Sequence, residues 1–162
     1  MKINIVCTFC IICLVYTAGY ATAQGPIWMG TSAGELVQEA RSATKQVPLI
    51  ELKKVFDEND DVLVLDVRTP REYEAAHIPG AVNISRGLLE FSIWSVAPNK
   101  NKKIYVYCKS GARAALATKQ LNDFGYKNAF AVATGMAEWT KTGNPVQTSI
   151  TDEQVILLPA EE

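Results

Sequence analysis

Four short runs of apolar and β-branched residues constrain the fold of this chain more than any other feature. They are Val62-Leu63-Val64-Leu65, Ala81-Val82-Asn83-Ile84, Lys103 to Tyr107 and Asn128 to Val132. The first is continuously apolar and bounded by acids, as expected of a strand buried on both faces. The third is β-branched and aromatic, which suits a pleated, buried surface. Helical stretches lie between them. One starts at Thr69-Pro70-Arg71-Glu72, with proline near the first helical position. Others run from Leu88 to Trp94, apolar enough to be partly buried, and from Ala112 to Phe124, closed by Gly125. A last one, Met136 to Lys141, precedes a break at Gly143-Asn144-Pro145. Strands alternating with helices imply an α/β fold, with an open, mostly parallel sheet of four to five strands flanked by helices.

Ahead of the first strand, Ser32-Ala33-Gly34-Glu35 has capping-box spacing, and apolar residues follow at helical intervals. This predicts a helix over about 32–46, stopped by Pro48 and read as an extension before the domain proper. Leu49-Ile50 reads as a short extended piece and Glu51 to Glu58 as a second helix, with Leu52, Val55 and Phe56 on one face. The expected divisions are a linker and helix over 24–46, the domain over 47–148 and a tail over 149–162 with an apolar patch at Val155 to Leu158. With 162 residues, 48% apolar and 20% charged, the chain can bury the core of one domain. A formal charge of −1 offers nothing to nucleic acid or to an anionic membrane surface.

Residues 1–23 read as an export signal. Met1-Lys2 is a short positive start, Ile3 to Tyr16 is an almost unbroken apolar run, and Ala21-Thr22-Ala23 supplies the small residues a signal peptidase reads. Cleavage is expected between Ala23 and Gln24. The run is short for a membrane span, so no stable anchor is expected after cleavage. The protein would then be periplasmic in a Gram-negative source and secreted otherwise. Cys7, Cys10 and Cys13 would leave with the signal, and Cys108 would remain alone, without an internal disulfide. A lone cysteine in an exported protein points to reactivity or intermolecular pairing, against the blander reading of a buried, inert thiol.

The surroundings of Cys108 favour reactivity. It directly follows a strand, and a helix starts near Ala112. Ligands of open α/β sheets bind at the carboxyl ends of strands. The thiol is therefore expected at that edge, facing a helix N-terminus whose N–H groups and dipole favour a thiolate. Gly111 lets the loop curl tightly. Lys109 and Arg113 add positive charge for an anionic substrate.

Taken together, these segments resemble the single-domain rhodaneses, a sulfurtransferase family. Leu65-Asp66-Val67-Arg68-Thr69-Pro70-Arg71-Glu72-Tyr73 resembles the first family signature, and His77-Ile78-Pro79-Gly80-Ala81-Val82-Asn83-Ile84 the stretch after it. Cys108-Lys109-Ser110-Gly111-Ala112-Arg113 resembles the active-site loop. Gly135-Met136-Ala137-Glu138-Trp139 and Gly143-Asn144-Pro145-Val146 resemble the closing motif. One departure is Thr134-Gly135, where the family often has two glycines. The resemblance implies that Cys108 takes a sulfane sulfur from a donor such as thiosulfate, becomes a persulfide, and yields the sulfur to cyanide or a thiol. The acceptor thiol implied is that of a small molecule or a protein, and no metal or organic cofactor is required. Two alternatives stand beside it. One is a non-catalytic rhodanese-like binding or sensory module, although such modules often lack the cysteine. The other is a cysteine-based phosphatase or arsenate reductase, whose loop is one residue longer than the four residues between Cys108 and Arg113.

Other residues have sharper and blander readings. His77, the sole histidine, reads as a structural imidazole rather than as the base of a Cys–His pair. Asp66 and Arg68 read as a salt-bridge clamp with Glu72 or Glu74. Arg86 follows the second strand and is a candidate to line the site. Arg113 either binds substrate or pairs with a carboxylate and braces the loop. Trp94 and Trp139 read as packing residues.

Overall fold

The computed structural model describes residues 31–58, 61–149 and 155–157, the last three by their backbone alone. The expected export signal, its cleavage site and most of the expected tail lie outside these residues.

Helix α1 (Ala33–Ala43) opens with the expected capping box. Ser32 Oγ accepts from the Glu35 N–H, and the Glu35 carboxylate accepts from the Ser32 N–H. The helix ends at Ala43, short of the expected position 46, because Gln46–Val47 forms strand β1. Pro48 explains the change, since it disfavours helical backbone in the residue before it. Leu49 and Ile50, expected to be extended, instead begin helix α2 (Leu49–Glu58). Strand β2 (Leu63–Asp66), helix α3 (Pro70–Ala75) and strand β3 (Val82–Asn83) follow. A 3-10 turn (Arg86–Leu88) leads into α4 (Leu89–Val96). Then come β4 (Ile104–Cys108), α5 (Ala112–Asp123), β5 (Ala129–Gly135), α6 (Met136–Lys141) and β6 (Pro145–Gln147). The last element, β7 (Val155–Leu157), pairs antiparallel with β6, so part of the expected tail is sheet.

The main sheet has five strands in the order β1-β5-β4-β2-β3, and every pairing in it is parallel. β4 lies at its centre and is buried along its whole length. Side chains alternate across it. Ile104, Val106 and Cys108 join the core formed with Leu89, Ile93, Ala114 and Leu121 from α4 and α5. Tyr105 and Tyr107 join the opposite core with Leu52, Ile78 and Trp139. α1 packs on α5. Trp139 is fully buried, as expected of a packing residue, and donates its indole N–H to the Pro145 carbonyl at 2.7 Å. Trp94 is not a packing residue: it is 67% exposed. Among the described residues no helix is long and apolar enough to cross a membrane.

Candidate active site

Cys108 is the last residue of the central strand, so it stands at the carboxyl edge of the sheet. Neighbouring strands bring two further loops to that edge. Val67 donates its N–H to the Tyr107 carbonyl, and Arg86 donates its own to the Val67 carbonyl. Cys108 is 1% exposed, and its Sγ accepts the Gly111 N–H at 3.2 Å. Lys109 and Ser110 are exposed, and α5 begins at Ala112. The first-turn N–H groups of such a helix have no partner within it, and its dipole favours negative charge there. The loop thus aims one N–H, that of Gly111, at the sulfur, at a helix mouth that favours negative charge.

Close backbone contacts hold that shape. Gly111 has φ +87°, and a Cβ on it would lie 2.1 Å from the Ala133 carbonyl oxygen. A Cβ on Gly135 would lie 2.1 Å from the Cys108 carbonyl oxygen. Ala137 N–H also donates to the Lys109 carbonyl at 3.2 Å. The loop is therefore clasped against the end of β5 and the start of α6. Of Thr134 and Gly135, the glycine is the one that touches the loop, whereas Thr134 is exposed. The departure from the family pattern leaves this contact intact.

Arg113 braces the loop rather than standing free for substrate. Its two terminal nitrogens donate to the two Glu72 oxygens at 2.8 and 2.7 Å, a bidentate pair. Glu72 also accepts from the N–H and hydroxyl of Thr69, closing a capping box on α3. Chiefly through the hydrogen bonds from Arg113, and then those from Thr69, its carboxyl is held at about 2 instead of 4.5. The Arg113 pKa is raised, first by its hydrogen bonds to Glu72 and less by the nearby Cys108.

The clamp expected between Asp66 or Arg68 and Glu72 or Glu74 takes a different form. Arg68 pairs with Asp66 itself: Nε lies 3.0 and 2.9 Å from the two carboxylate oxygens, and Nη2 is 2.6 Å from Oδ2. Both residues are buried. Arg68 Nη2 also donates to the Ala76 carbonyl at 2.7 Å, fastening the segment after α3 to the end of β2. Two chemistries explain the difference. Charges carried inside the core need a close partner, which each finds in the other, and Glu72 is already taken by Arg113. Tyr107, next to Cys108, lies under the Arg68 guanidinium, 5.7 Å from ring centroid to Cζ, and its hydroxyl accepts the Ile78 N–H. Burial, then the Asp66 charge, pushes its phenol far above the usual range.

His77 takes a structural position. Its Nδ1 is 2.9 Å from the Tyr73 carbonyl, its ring stacks on Tyr73, and its backbone bridges to Gln147. Arg86 begins the 3-10 turn at the correct sheet edge, but its side chain lines a cleft with Leu116 and Lys119 of α5 and Leu36 and Glu39 of α1. The structure thus brings Cys108, Lys109, Ser110, Gly111, Ala112 and Arg113 into one loop, with Glu72 behind it.

Residues 49–142, more than half of the chain, match the model of the rhodanese-like domain. The chain belongs to the rhodanese-like family. It is 33% identical over 133 residues to the candidate sulfur carrier protein YrkF of Bacillus subtilis, covering 75% of this chain and 71% of that one. It resembles the polysulfide-sulfur transferase homodimer of Wolinella succinogenes with a TM-score of 0.60 and 30% identity, over 73% of this chain and 88% of that one. A Rhodopseudomonas palustris protein put forward as a possible tyrosine phosphatase has a TM-score of 0.69 and 29% identity, over 76% of this chain and 99% of that one. The family and its sulfur-handling members support sulfur transfer as the general chemistry of this rhodanese-like site.

Four contributors to the rhodanese-like site escaped the sequence reading. Thr69 had a usable signal, a threonine three residues before Glu72. Gly135 had one in part, as a glycine at the start of a helix. Tyr107 and Asn83 had none. Asn83 Nδ2 donates to the carbonyls of Asp66 and Arg68 across a strand boundary, a contact visible only once β2 and β3 pair.

The Glu72–Arg113 brace gives a pH prediction. A carboxyl held at about 2 in the fold, against 4.5 otherwise, stabilises the fold fully above 4.5 and loses that contribution as pH falls toward 2. The stability difference between the wild type and Glu72→Gln should stay constant from about pH 7 to about pH 5 and narrow below that. Both side chains are about one-third exposed, so screening keeps the difference to about 1 kcal/mol or less. Urea unfolding at stepped pH reads it, and a gap that widens in acid would contradict the assignment.

Proposed function

We propose that this protein is a sulfurtransferase in which the Cys108 thiolate carries one sulfur atom between an anionic donor and a thiophilic acceptor. The observation that carries the proposal is the position of Sγ, bonded to the Gly111 N–H at the mouth of α5. With thiosulfate as donor, the thiolate attacks the outer sulfur. The sulfur–sulfur bond breaks, sulfite leaves with the electron pair, and Cys108 becomes a persulfide. The negative charge now sits on the outer sulfur, where the N–H groups of the loop can hold it as they would an oxyanion. Cyanide or a thiolate then attacks that sulfur, and Cys108 leaves as thiolate. Lys109, exposed on the loop, supports capture of the anion.

Two observations disfavour a phosphatase. Only four residues separate Cys108 from Arg113, a cradle sized for one sulfur. Arg113 also spends both terminal nitrogens on Glu72, leaving no fork for a phosphoryl group. Export with cleavage after Ala23 is part of the proposal, and it leaves discharge to an external acceptor. The test is to supply thiosulfate and cyanide to the purified protein and measure thiocyanate, with an aryl phosphate in parallel. Thiocyanate without phosphate is the expected result. Phosphate without thiocyanate would replace the proposal with the phosphatase, and neither product together with tight partner capture would replace it with a binding module.

A further inference from the structure

Helix α4 is apolar on both sides. Leu89 and Ile93 point inward and are buried. Opposite them, Leu88, Phe91 and Trp94 follow at intervals of three and are 57%, 75% and 67% exposed. That spacing keeps them within an arc of roughly 120° on a helix of 3.6 residues per turn. A surface helix normally carries polar residues there. Trp94 is fixed against the helix by its indole N–H, which donates to the Phe91 carbonyl at 2.8 Å. The three side chains expose on the order of 400 Å² of apolar surface, the size of the largest patch on a typical single protein, which is often functional.

The stripe begins just after the chain leaves the sheet edge that carries the thiol. Arg86, two residues before Leu88, is bonded to Val67, and Val67 to Tyr107, the neighbour of Cys108. With strands about 4.8 Å apart, the Arg86 backbone, where the turn leading to Leu88 begins, lies two strands, or roughly 10 Å, from the strand that carries Cys108. About three extended residues span that distance.

Size and position together select an occupant. A stable dimer needs about 800 Å² from each partner, roughly twice what the stripe offers. The stripe therefore suits a partner that binds and departs, as an acceptor must after taking the sulfur. Because Cys108 is 1% exposed, the acceptor's thiol has to be delivered into the loop while its flanking residues rest on the rim. We propose that Leu88, Phe91 and Trp94 form the docking surface for a protein acceptor whose cysteine lies in an extended segment, with large apolar residues about three positions away. This rests on the reading of Cys108 as a sulfur carrier. In the transfer, the acceptor's thiolate attacks the outer sulfur of the Cys108 persulfide. A sulfur–sulfur bond forms on the acceptor, the one to Cys108 breaks, and the Cys108 thiolate leaves with the electron pair.

Two synthetic peptides test it, each with one cysteine. One has phenylalanine or leucine three positions to either side, and the other has serine there. Protein preloaded with thiosulfate should discharge to the apolar peptide at least about tenfold faster in kcat/KM, an advantage of about 1.4 kcal/mol. The double variant Phe91→Ser, Trp94→Ser should lose that preference, with its melting temperature and its discharge to cyanide unchanged. Equal discharge to both peptides, or a preference that survives the double substitution, would overturn the proposal. So would a dimer, or binding to phosphatidylglycerol vesicles, that the double substitution abolishes, because the stripe would then serve a second copy or a membrane. Failure of the carrier reading shows separately, as no sulfur loaded from thiosulfate. Docking is then read on Cys108→Ser by a change in fluorescence with the apolar peptide. That change should vanish in Trp94→Phe, and no change in Cys108→Ser would overturn the docking surface by itself.

Discussion

Replacing Cys108 with serine should lower thiocyanate formation from thiosulfate and cyanide by on the order of a thousandfold or more. The expected loss of stability is modest, about 1–2 kcal/mol, because a hydroxyl replaces a thiol in the α5-side core. The two residues have nearly the same shape, and a serine oxygen can still accept the Gly111 N–H that now bonds Sγ at 3.2 Å. The clasp of Gly111 and Gly135 against the loop involves backbone only, so it survives the change. What disappears is the sulfur that the proposed mechanism uses as nucleophile and as the holder of a second sulfur. Steady-state thiocyanate release, paired with urea unfolding, separates the two effects. An unchanged rate in Cys108→Ser would mean that Cys108 serves only as a packing residue of the α5-side core.

Removing the Asp66 carboxylate should be the most damaging change outside the loop. Asp66→Ala leaves the Arg68 guanidinium buried beside the Ala76 carbonyl and Tyr107, without a carboxylate to balance its charge. Breaking a buried pair from one side costs about 3–5 kcal/mol, because an uncompensated charge stays in the core. Activity should fall with it, since Arg68 ties the segment after α3 to the strand beside Tyr107, and α3 carries Glu72. The cause can be isolated with Asp66→Ala, Arg68→Met, in which no charge is stranded. That double variant should recover more than half of the lost stability in urea unfolding. A double variant as unstable as the sum of its singles would show that the two residues act independently, against the geometry described.

The elements with strong periodicity, or with turn chemistry at their ends, were readable before any coordinates. Val62 to Leu65, the Cys108 strand and α5 fall where their patterns place them, and the capping box at Ser32 forms as its spacing requires. Strand β1 was not readable. Two residues carry no period, and Gln46–Val47 is a strand only because β5 lies beside it. The helix before it, read as an extension, packs on α5. Site residues divide in the same way. The loop is a contiguous segment, so its membership could be read directly. The partners of its charges could not, because Glu72 and Arg113 are 41 positions apart and meet only when α3 and α5 reach one sheet edge. The pairing of Arg68 with Asp66 was local, yet a partner on α3 looked as good on paper. Burial decided it, and burial belongs to the folded chain. Trp94 shows the reverse error: an aromatic residue in an apolar run was assigned to the core, although α4 has more apolar surface than the core can cover.

The central claim is that Cys108 holds a transferable sulfur. Intact-mass measurement of the protein after incubation with thiosulfate, followed by peptide mapping, tests it most directly. The structure predicts a gain of one sulfur atom, located on the peptide that contains Cys108, removed by cyanide and absent from Cys108→Ser. An unchanged mass, or a sulfur adduct that survives in Cys108→Ser, would contradict it.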